Sequence, residues 1–365
     1  MPYIAHRKVK GNTYRYLVKS YREHGKPRQR ELKYLGAAPT LAEDAPIGVV
    51  LFAGGGGVEC GMIAAGIRPV LSVESDPTKQ KLSKALADNN HLNFKPYGGK
   101  VIYQTVEEIG STGFQGFPLN PDYLHASPVC SNFSRANNGR ETKKDIEAAI
   151  ATAQAISYLQ PQCFTLENVP KYKKSESWYL LEQALKGEGY QIVSAVIDAA
   201  DYGVPQSRER FIVKAARGST PGLPAYSRRF GWYEAIKDLI PDLPTSKLLP
   251  AQQKALELKR SLQPSIQALL IERIGFRKGK PKVREPFEPC WTIKRSIFTD
   301  HKDNNRSRFI DVWLADGSVK ALNIEAIAQL QSFPSWYYLP DQVSIAGSIL
   351  GYSVPPLLVK ALLTT

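Results

Sequence analysis

The chain has 365 residues and carries 48 Lys and Arg against 34 Asp and Glu, a net charge of +14. With 43% hydrophobic and 22% charged residues it matches an ordinary globular protein, which excludes disordered, collagen-like and coiled-coil chains. The four cysteines have no CxxC spacing and the five histidines are scattered, so the sequence predicts neither a disulfide framework nor a metal site, and a reducing cytosol is expected.

The excess positive charge is confined to two segments. Residues 1–36 hold ten Lys and Arg against two Glu, and residues 218–305 hold sixteen Lys and Arg against nine Asp and Glu. Such blocks are typical of surfaces that bind a phosphate backbone, although a solvated face that binds nothing has the same composition. Charge alone therefore leaves the partner of each block open.

The first forty residues predict a basic β-hairpin arm, residues 1–40. Aromatic or apolar residues alternate with basic ones over 13–21, a turn follows at 25–27, and 30–35 form the return strand. Since an isolated hairpin is marginally stable, the arm either binds nucleic acid or docks on the body of the protein, and both hypotheses stay open. Over this short stretch the sequence also faintly resembles an N-terminal segment of some transposases.

Between residues 41 and 217 the pattern predicts a catalytic domain built on a doubly wound, mostly parallel α/β sheet. Apolar strands are expected over 47–53, 69–74, 101–103, 123–126, 163–166, 192–197 and 211–214, with helices over 58–65, 77–89, 145–159 and 176–186. In such a sheet, ligands bind beyond the carboxyl ends of the strands. The apolar run from Ala45 to Ile67 is broken by glycines and by Glu59, so no membrane-spanning helix is predicted.

The composition and the hydrophobic pattern change after residue 217. Residues 218–305 are basic and rich in proline, which predicts a smaller, loop-rich domain with one or two helices over 251–274. Regular patterning returns over 306–365, with a turn at 315–317, a helix from Ile324 and a closing helix over 356–363. We expect this last segment to complete the second domain and return to the first.

A glycine-rich loop follows the first strand of the predicted sheet. Phe52, Gly54 and Gly56 belong to this loop, and Glu74 ends the next strand. Glycines there allow a nucleotide-like cofactor to approach the backbone, and an acidic strand end can accept hydrogen bonds from ribose hydroxyls. These features by themselves fit NAD, FAD or S-adenosylmethionine equally.

Two further side chains are expected at the same edge of the sheet. Cys130 follows the strand at 123–126, in the position of a nucleophile, although a free cysteine is more often a small buried hydrophobe. Glu167 ends the following strand. Because neighbouring parallel strands end at one edge, the cysteine and the carboxyl group are expected in one crevice.

An ordered series of six motifs resembles the DNA (cytosine-5) methyltransferase family. In chain order they are the glycine loop at 52–56 with Glu74, Cys130, Glu167-Asn-Val169, Gln206-Ser-Arg208-Glu-Arg210, Leu330-Gln-Ser-Phe-Pro334 and Gly351-Tyr-Ser-Val-Pro355. The resemblance covers residues 47–217 and 306–363 and implies a Rossmann-like methyltransferase fold. It also implies that residues 218–305 form the target-recognition domain.

The resemblance implies transfer of a methyl group from S-adenosylmethionine to C5 of a flipped cytosine, through a covalent bond between a cysteine and C6. The catalytic residues it implies are Cys130, Glu167, Arg208 and Arg210. The cofactor-binding residues it implies are Phe52, Gly54, Gly56, Glu74, Ser75 and Gln104. The polar segment from Ser134 to Lys144 is expected to form a mobile loop that closes over DNA.

Several positions depart from the family pattern. Val129 and Ser131 flank the cysteine where Pro and Gln are usual, Gln104 stands in place of Asp, and Tyr352 in place of Asn. The cofactor pocket is therefore less well defined by the sequence than the pair Cys130 and Glu167.

The partners that the resemblance implies are duplex DNA and a cognate restriction endonuclease, with a monomeric enzyme in the prokaryotic cytosol. Three alternatives remain open: an RNA (tRNA) cytosine-5 methyltransferase, a nucleotide-dependent oxidoreductase, and a catalytically impaired DNA-binding relative. The oxidoreductase leaves Cys130, Glu167 and the 206–210 motif without a role.

Overall fold

The structure is a computed structural model that describes residues 2–10, 12–129, 141–262, 267–273, 281–298 and 305–365. The chain begins with a three-stranded antiparallel sheet of β1 (Pro2–Val9), β2 (Asn12–Glu23) and β3 (Lys26–Ala37), in the order β1-β2-β3. The predicted hairpin is thus present as β2 and β3. The sequence pattern missed β1, which pairs with β2 along its whole length.

A seven-stranded sheet forms the centre of the protein. Its strands are β4 (Ile47–Leu51), β5 (Arg68–Val73), β6 (Lys100–Ile102), β7 (Tyr123–Ala126), β8 (Cys163–Asn168), β9 (Gln191–Asp198) and β10 (Glu209–Ala216). They are arranged in the order β6-β5-β4-β7-β8-β10-β9, and β10 runs antiparallel to both of its neighbours. The prediction of a doubly wound, mostly parallel α/β sheet is confirmed.

Helices cover both faces of this sheet. They are α1 (Gly57–Ala64), α2 (Gln80–Phe94), α3 (Val106–Thr112), α4 (Lys143–Leu159) and α5 (Glu176–Gly187). Val49 and Leu51 of β4 pack on the face covered by α3, α4 and α5, whereas Val50 packs against α1 on the other face. This alternation leaves no solvent-facing side on the strand, which explains its continuous apolar sequence.

Local signals place the helix starts. Thr105 and Glu108 form a reciprocal capping box at the start of α3, and the Ser175 hydroxyl accepts a hydrogen bond from the Trp178 amide in α5. Lys143 and Lys144 are the first residues of α4, so the predicted mobile segment 134–144 ends in a helix. Residues 134–140 of that segment lie outside the described part of the chain.

The remaining elements follow β10 in the chain. They are α6 (Trp232–Ile236), α7 (Pro250–Leu262), β11 (Ala268–Glu272), β12 (Val283–Arg284), β13 (Ile310–Leu314), β14 (Val319–Ala321), α8 (Ile324–Leu330), α9 (Val343–Tyr352) and α10 (Pro356–Leu363). The four strands pair antiparallel in the order β12-β11-β13-β14. The prediction of helix across 251–274 is wrong in part, because 268–272 is a buried β-branched and leucine-rich strand that pairs with β13.

The closing helices return to the central sheet. Residues Val343–Leu363, which contain α9 and α10, are long and apolar enough to cross a membrane, and 72% of the stretch is buried inside the protein. The predicted helix at 356–363 is present, and the sequence pattern missed α9. Gly61 of α1 contacts α10 so closely that a Cβ there would lie 2.4 Å from Val359. This packing brings the 351–355 motif next to the glycine loop.

Candidate active site

A cavity of about 200 Å³ opens at the carboxyl ends of β4, β5, β7 and β8. It is lined by the following residues: Phe52, Ala53, Gly54, Gly57, Val58, Glu74, Ser75, Asp76, Lys79, Leu82, Ser83, Leu86, Ser127, Pro128, Val129, Glu167, Tyr352, Ser353 and Val354. Four predicted cofactor-binding residues and the predicted acid therefore share one space. The part of the cavity wall formed by α2 was not predicted, because nothing in the sequence distinguishes its leucines from core residues.

Two glycines of the glycine loop, Gly54 and Gly56, have different structural roles. Phe52 and Gly54 have φ values of +57° and +56°, and no atom lies within 4 Å of the place where a Gly54 Cβ would stand. Gly56, at φ +102°, packs against α2 so tightly that a Cβ would lie 2.4 Å from Phe94. Gly54 therefore keeps the cavity wall open, whereas Gly56 serves internal packing and is not part of the cavity lining.

Glu74 closes the loop from the next strand. Its carboxylate accepts a hydrogen bond of 2.8 Å from the Gly54 amide, and the side chain is 8% exposed. Burial raises the pKa of Glu74 to about 7, against the opposing effect of the Gly54 hydrogen bond. The group is thus a buried acceptor that faces the cavity and is only weakly ionised below neutral pH.

The two other predicted cofactor-binding positions, Ser75 and Gln104, differ in their location relative to the cavity. Ser75 lines the cavity, as do Asp76 and Lys79, whose side chains pair at 3.0 Å. Gln104 is exposed just beyond β6 and is not part of the cavity lining. Its departure from the family's Asp therefore lies at a position that makes no contribution to the described cavity wall.

Glu167 and Arg210 form a buried ion pair. Arg210 Nε lies 2.6 Å from Glu167 Oε1, and the two side chains are 13% and 9% exposed. The sheet register explains the contact, because Glu167 of β8 is paired with Ile212 of β10 and Arg210 lies two residues earlier on the same face. The guanidinium therefore fixes the orientation of the carboxylate at the cavity edge.

Arg208 occupies a different environment. Its side chain is 4% exposed and donates to the carbonyl oxygens of Ile293 and Gly351, at 3.1 Å and 3.4–3.5 Å. The Asp198 carboxylate accepts a 2.7 Å hydrogen bond from its backbone amide. Arg208 thus joins the segment before residue 298 to the C-terminal motif, and it does not line the cavity.

Three of the six motifs meet in a buried hydrogen-bond network. Gln206 bonds to Gln331 and accepts a 2.9 Å hydrogen bond from the Ile293 amide. Gln331 in turn donates 2.8 Å to the Ser353 carbonyl. Residues from 206–210, 330–334 and 351–355 are therefore held together by amide side chains that are completely buried.

Cys130 lies outside the described residues, but the structure describes the segment that leads to it as far as Val129. Val129 lines the cavity and is 46% exposed, and the Pro128 carbonyl accepts a 3.1 Å hydrogen bond from Asn168. Asn168 follows Glu167 directly in β8. The Glu-Asn pair thus places an acid in the cavity and anchors the segment that leads into residue 130.

His125 of β7 was missed by the sequence analysis, where it looked like an ordinary strand residue. Its ring nitrogens hydrogen-bond to the Thr165 hydroxyl at 2.9 Å and the Ser127 hydroxyl at 2.8 Å. Complete burial lowers the pKa of His125 to about 3, so the ring is neutral at physiological pH. It holds Ser127 at the cavity wall.

Tyr352, the residue that replaces the family's Asn, lies at the rim of the cavity. Its hydroxyl accepts a 2.9 Å hydrogen bond from Arg295, which belongs to the predicted recognition segment 218–305. The predicted recognition segment and the C-terminal motif therefore share a contact beside the cavity.

A second cavity, of about 550 Å³, lies between α1, α8 and α10. Its lining is mainly apolar, with Cys60, Phe230, Phe333 and Trp336 among its residues. Although it is larger, none of the predicted site residues lines it. The smaller cavity, with its buried carboxyl groups and glycine loop, is the candidate active site.

The sequence matches the family model of the C-5 cytosine-specific DNA methylase over residues 48–365, and that of the IS1634 family transposase N-terminal domain over residues 4–50. Among curated relatives, the Type II methyltransferase M.AplI of Arthrospira platensis is 27% identical over 86% of this chain and 83% of its own length. The Type II methyltransferase M.XorII of Xanthomonas oryzae is 26% identical over 87% and 83%.

Solved structures with the same fold include the Spodoptera frugiperda DNMT2 mutant and the Entamoeba histolytica methyltransferase EhMeth. Their TM-scores are 0.58 and 0.55, at 14% and 16% identity, and they cover 87% and 88% of this chain and 98% and 97% of their own. Methyltransferases of this family use S-adenosylmethionine as methyl donor. The chain belongs to the C-5 cytosine-specific DNA methylase family and is an enzyme that transfers a methyl group to cytosine in DNA.

Proposed function

We propose that the enzyme acts on a cytosine flipped out of duplex DNA and activates its C5 through a transient bond between the Cys130 sulfur and C6. The observation that supports this is the shared cavity in which Glu167 faces the glycine loop and Val129, the residue before Cys130. Extrusion of the base is required because C6 is covered by neighbouring bases in the stack.

The cavity fits S-adenosylmethionine. Glu74 offers a buried acceptor for ribose hydroxyls, Gly54 leaves the backbone accessible, and Leu82 and Leu86 of α2 supply an apolar wall. Phe52 and Ser75 line the same space, whereas Gly56 supports the loop by packing on Phe94. The bound cofactor supplies the methyl group that C5 receives.

Each protein group has a defined task in the proposed reaction. The Cys130 thiolate donates an electron pair to C6, and the π electrons of the C5–C6 bond form a C4–C5 double bond while those of the C4–N3 bond move to N3. C5 thereby becomes the nucleophilic carbon of an enamine. Glu167 donates a hydrogen bond to N3 and accepts one from the exocyclic amine, which stabilises the charge that develops on the ring. After C5 has gained the methyl group, it loses its proton to water. The C5–C6 double bond then forms again as the S–C6 bond breaks, and the thiolate is restored.

Arg210 and Arg208 have different proposed roles. Arg210 holds the Glu167 carboxyl group in place through the 2.6 Å ion pair, and we propose that it also contacts the base edge. Arg208 acts as a positioning residue, because its guanidinium binds the carbonyls of Ile293 and Gly351. Neither arginine lines the cavity formed by the described residues. Arg210 acts on the site through Glu167, and Arg208 acts through the 351–355 motif.

The test of the nucleophile is Cys130→Ala together with trapping on 5-fluorocytosine. The variant is expected to lose methyl transfer, and the unmodified enzyme is expected to form a covalent complex with duplex DNA that carries 5-fluorocytosine. Cys163→Ala, the same change at a buried cysteine of β8, is the matched control. Full activity of Cys130→Ala would contradict the assignment.

The partners are proposals of the same kind. We propose duplex DNA as the substrate and a cognate restriction endonuclease as a functional partner, since the relatives M.AplI and M.XorII are named Type II methyltransferases. A monomer in the prokaryotic cytosol is the corresponding expectation. Bisulfite sequencing of DNA from cells that express the protein reports activity, target base and sequence context together, and a tRNA competitor in a methyl-transfer assay tests the RNA alternative.

A further inference from the structure

The outer half of the β2–β3 hairpin extends beyond the rest of the N-terminal sheet. β1 pairs with β2 only as far as Lys19, so residues 20–29 form a two-stranded ribbon. Every residue from 19 to 34 is exposed. At about 3.4 Å per residue, each strand of the ribbon projects by roughly 15 Å.

The base of the sheet, by contrast, is firmly docked. Arg15 is completely buried, with its guanidinium 4.7 Å from the centre of the Trp336 ring and a 2.9 Å hydrogen bond to the Asn93 carbonyl. Ile4, Leu17 and Leu35 pack against Leu92 and Tyr338. The ribbon therefore starts from a fixed position on the catalytic body, at the C-terminal end of α2.

The strand register separates the ribbon into two faces of different charge. Lys19 is paired with Arg30, Tyr21 with Arg28, and Glu23 with Lys26, so these six side chains share one face, which we call the basic face. The opposite face carries Ser20 paired with Gln29 and Arg22 paired with Pro27. The basic face thus carries four cations and one acid, whereas the opposite face carries a single cation.

Three of the four cations on the basic face have no acidic partner in the described part of the chain. Glu23 forms an exposed ion pair with Arg28 at 3.5 Å, and among the described residues no carboxylate lies within ion-pair distance of Lys19, Lys26 or Arg30. Like charges directly across a strand pair, as in Lys19 and Arg30, destabilise the hairpin. An anionic partner would relieve this repulsion.

We propose that the basic face of the ribbon binds duplex DNA as a second contact, separate from the cavity. A two-stranded β-ribbon fits the major groove, and Lys, Arg and Tyr side chains suit phosphate oxygens. The proposal rests on the duplex-DNA substrate proposed above. Because α2 runs from the cavity wall at Leu82 to the docked base at Asn93, the base of the sheet lies about 17 Å from the cavity wall, and the ribbon starts from there.

The decisive experiment measures DNA binding of the full chain as a function of salt. The protein is titrated into a fluorescent 30-base-pair duplex between 50 and 200 mM KCl, as wild type and as Lys19→Ser/Arg28→Ser/Arg30→Ser. Each lost phosphate contact lowers the slope of log K against log salt by about one, so the triple variant is expected to lose about three. A wild-type slope would overturn the proposal.

A pair of single variants separates the face from the charge. Arg28→Ser and Arg22→Ser each remove one positive charge from the same ribbon, on opposite faces. The slope is expected to fall for Arg28→Ser and to stay at the wild-type value for Arg22→Ser, and equal losses would overturn the assignment of the face. Stronger competition by a 30-base-pair RNA duplex, dependent on the basic face, would overturn the choice of DNA.

The same titration in a Cys130→Ala background keeps the two proposals distinguishable. A difference between the ribbon variants that persists there supports the ribbon contact whatever the outcome of the methyl-transfer assay. If Cys130→Ala loses methyl transfer while the triple variant keeps the wild-type salt slope, the proposed chemistry stands and the ribbon contact alone is rejected.

Discussion

The cavity and the N-terminal sheet use arginine in opposite environments. At the edge of the cavity, Arg210 is 13% exposed and lies beside a carboxylate, 2.6 Å from Glu167. In the sheet, Arg15 is buried against the faces of Trp336 and Tyr97 and a backbone carbonyl, while Arg28 and Arg30 point into solvent. A cation that orients a reacting group needs a charged partner, a cation that joins two modules can use aromatic faces, and a cation that binds a polyanion stays exposed.

The family matches also separate the N-terminal sheet from the domain that contains the cavity. The family model begins at residue 48, after β3 and before the glycine loop, and the preceding segment matches a domain from a transposase family. If the comparison is correct, changes in the cavity alter catalysis, changes at Arg15 alter docking of the sheet, and changes on the ribbon alter DNA binding. Four predictions test this separation.

The largest effect is expected for Glu167→Gln. The amide cannot supply the acid proton or the ion pair with Arg210, so kcat is expected to fall by about 10²–10³, the usual cost of one lost transition-state donor, while DNA affinity changes little. Single-turnover methyl transfer and DNA titration measure the two quantities. Glu182→Gln, at a partly exposed position of α5, is the matched control. A loss of DNA affinity without a loss of rate would contradict the proposed role of Glu167.

Next is the pH dependence that Glu74 gives to stability. Its pKa is raised from 4.5 to about 7, so the unfolded chain binds fewer protons than the native protein between these values and the free energy of unfolding falls as pH rises through that window. The contribution amounts to about 3 kcal/mol. Glu74→Gln is expected to remove it, seen as a smaller fall in Tm between pH 4.5 and 7.5; an identical pH profile in the variant would contradict the burial argument.

Arg15→Ala tests the attachment of the N-terminal sheet. Loss of the contacts with Trp336, Tyr97 and Asn93 is expected to weaken docking by about 2 kcal/mol. Hydrogen exchange should accelerate over residues 2–37 and stay unchanged in β4 to β8. The exposed Arg22→Ala provides the reference, and equal protection in both variants would show that Arg15 does not hold the sheet.

The smallest effect separates the two glycines of the loop. Gly56→Ala places a Cβ against Phe94 and is expected to cost about 1–2 kcal/mol of stability. Gly54→Ala meets no atom within 4 Å, so its cost is the backbone strain at φ +56°, about 1 kcal/mol, and its main consequence is weaker cofactor binding. Thermal unfolding and cofactor titration distinguish the two, and a reversed order of stabilities would refute the division of roles.

Much of the central fold could be predicted because its signals are local. The β4 and β8 strands are short apolar runs, and the glycine loop, Glu74 and Glu167 stand where such strands end. The β1 strand was missed because its sequence, Pro2–Val9, alternates weakly and forms only by pairing with β2. The strand at 268–272 was predicted as helix because a short run of Ala, Leu and Ile has no period that separates the two structures.

Local sequence patterns were sufficient to predict the central α/β sheet, the family to which the chain belongs and the residue types at the cavity, since each depends on neighbours along the chain. Only the tertiary structure decided which arginine of the 206–210 motif meets Glu167, which glycine leaves room for a ligand, and that Arg15 is buried while Arg28 is not. These outcomes depend on atoms brought together from distant parts of the chain, such as Phe94 beside Gly56 and Gly351 beside Arg208. Burial and pairing of that kind set the charge and orientation of each group, and no local pattern encodes them.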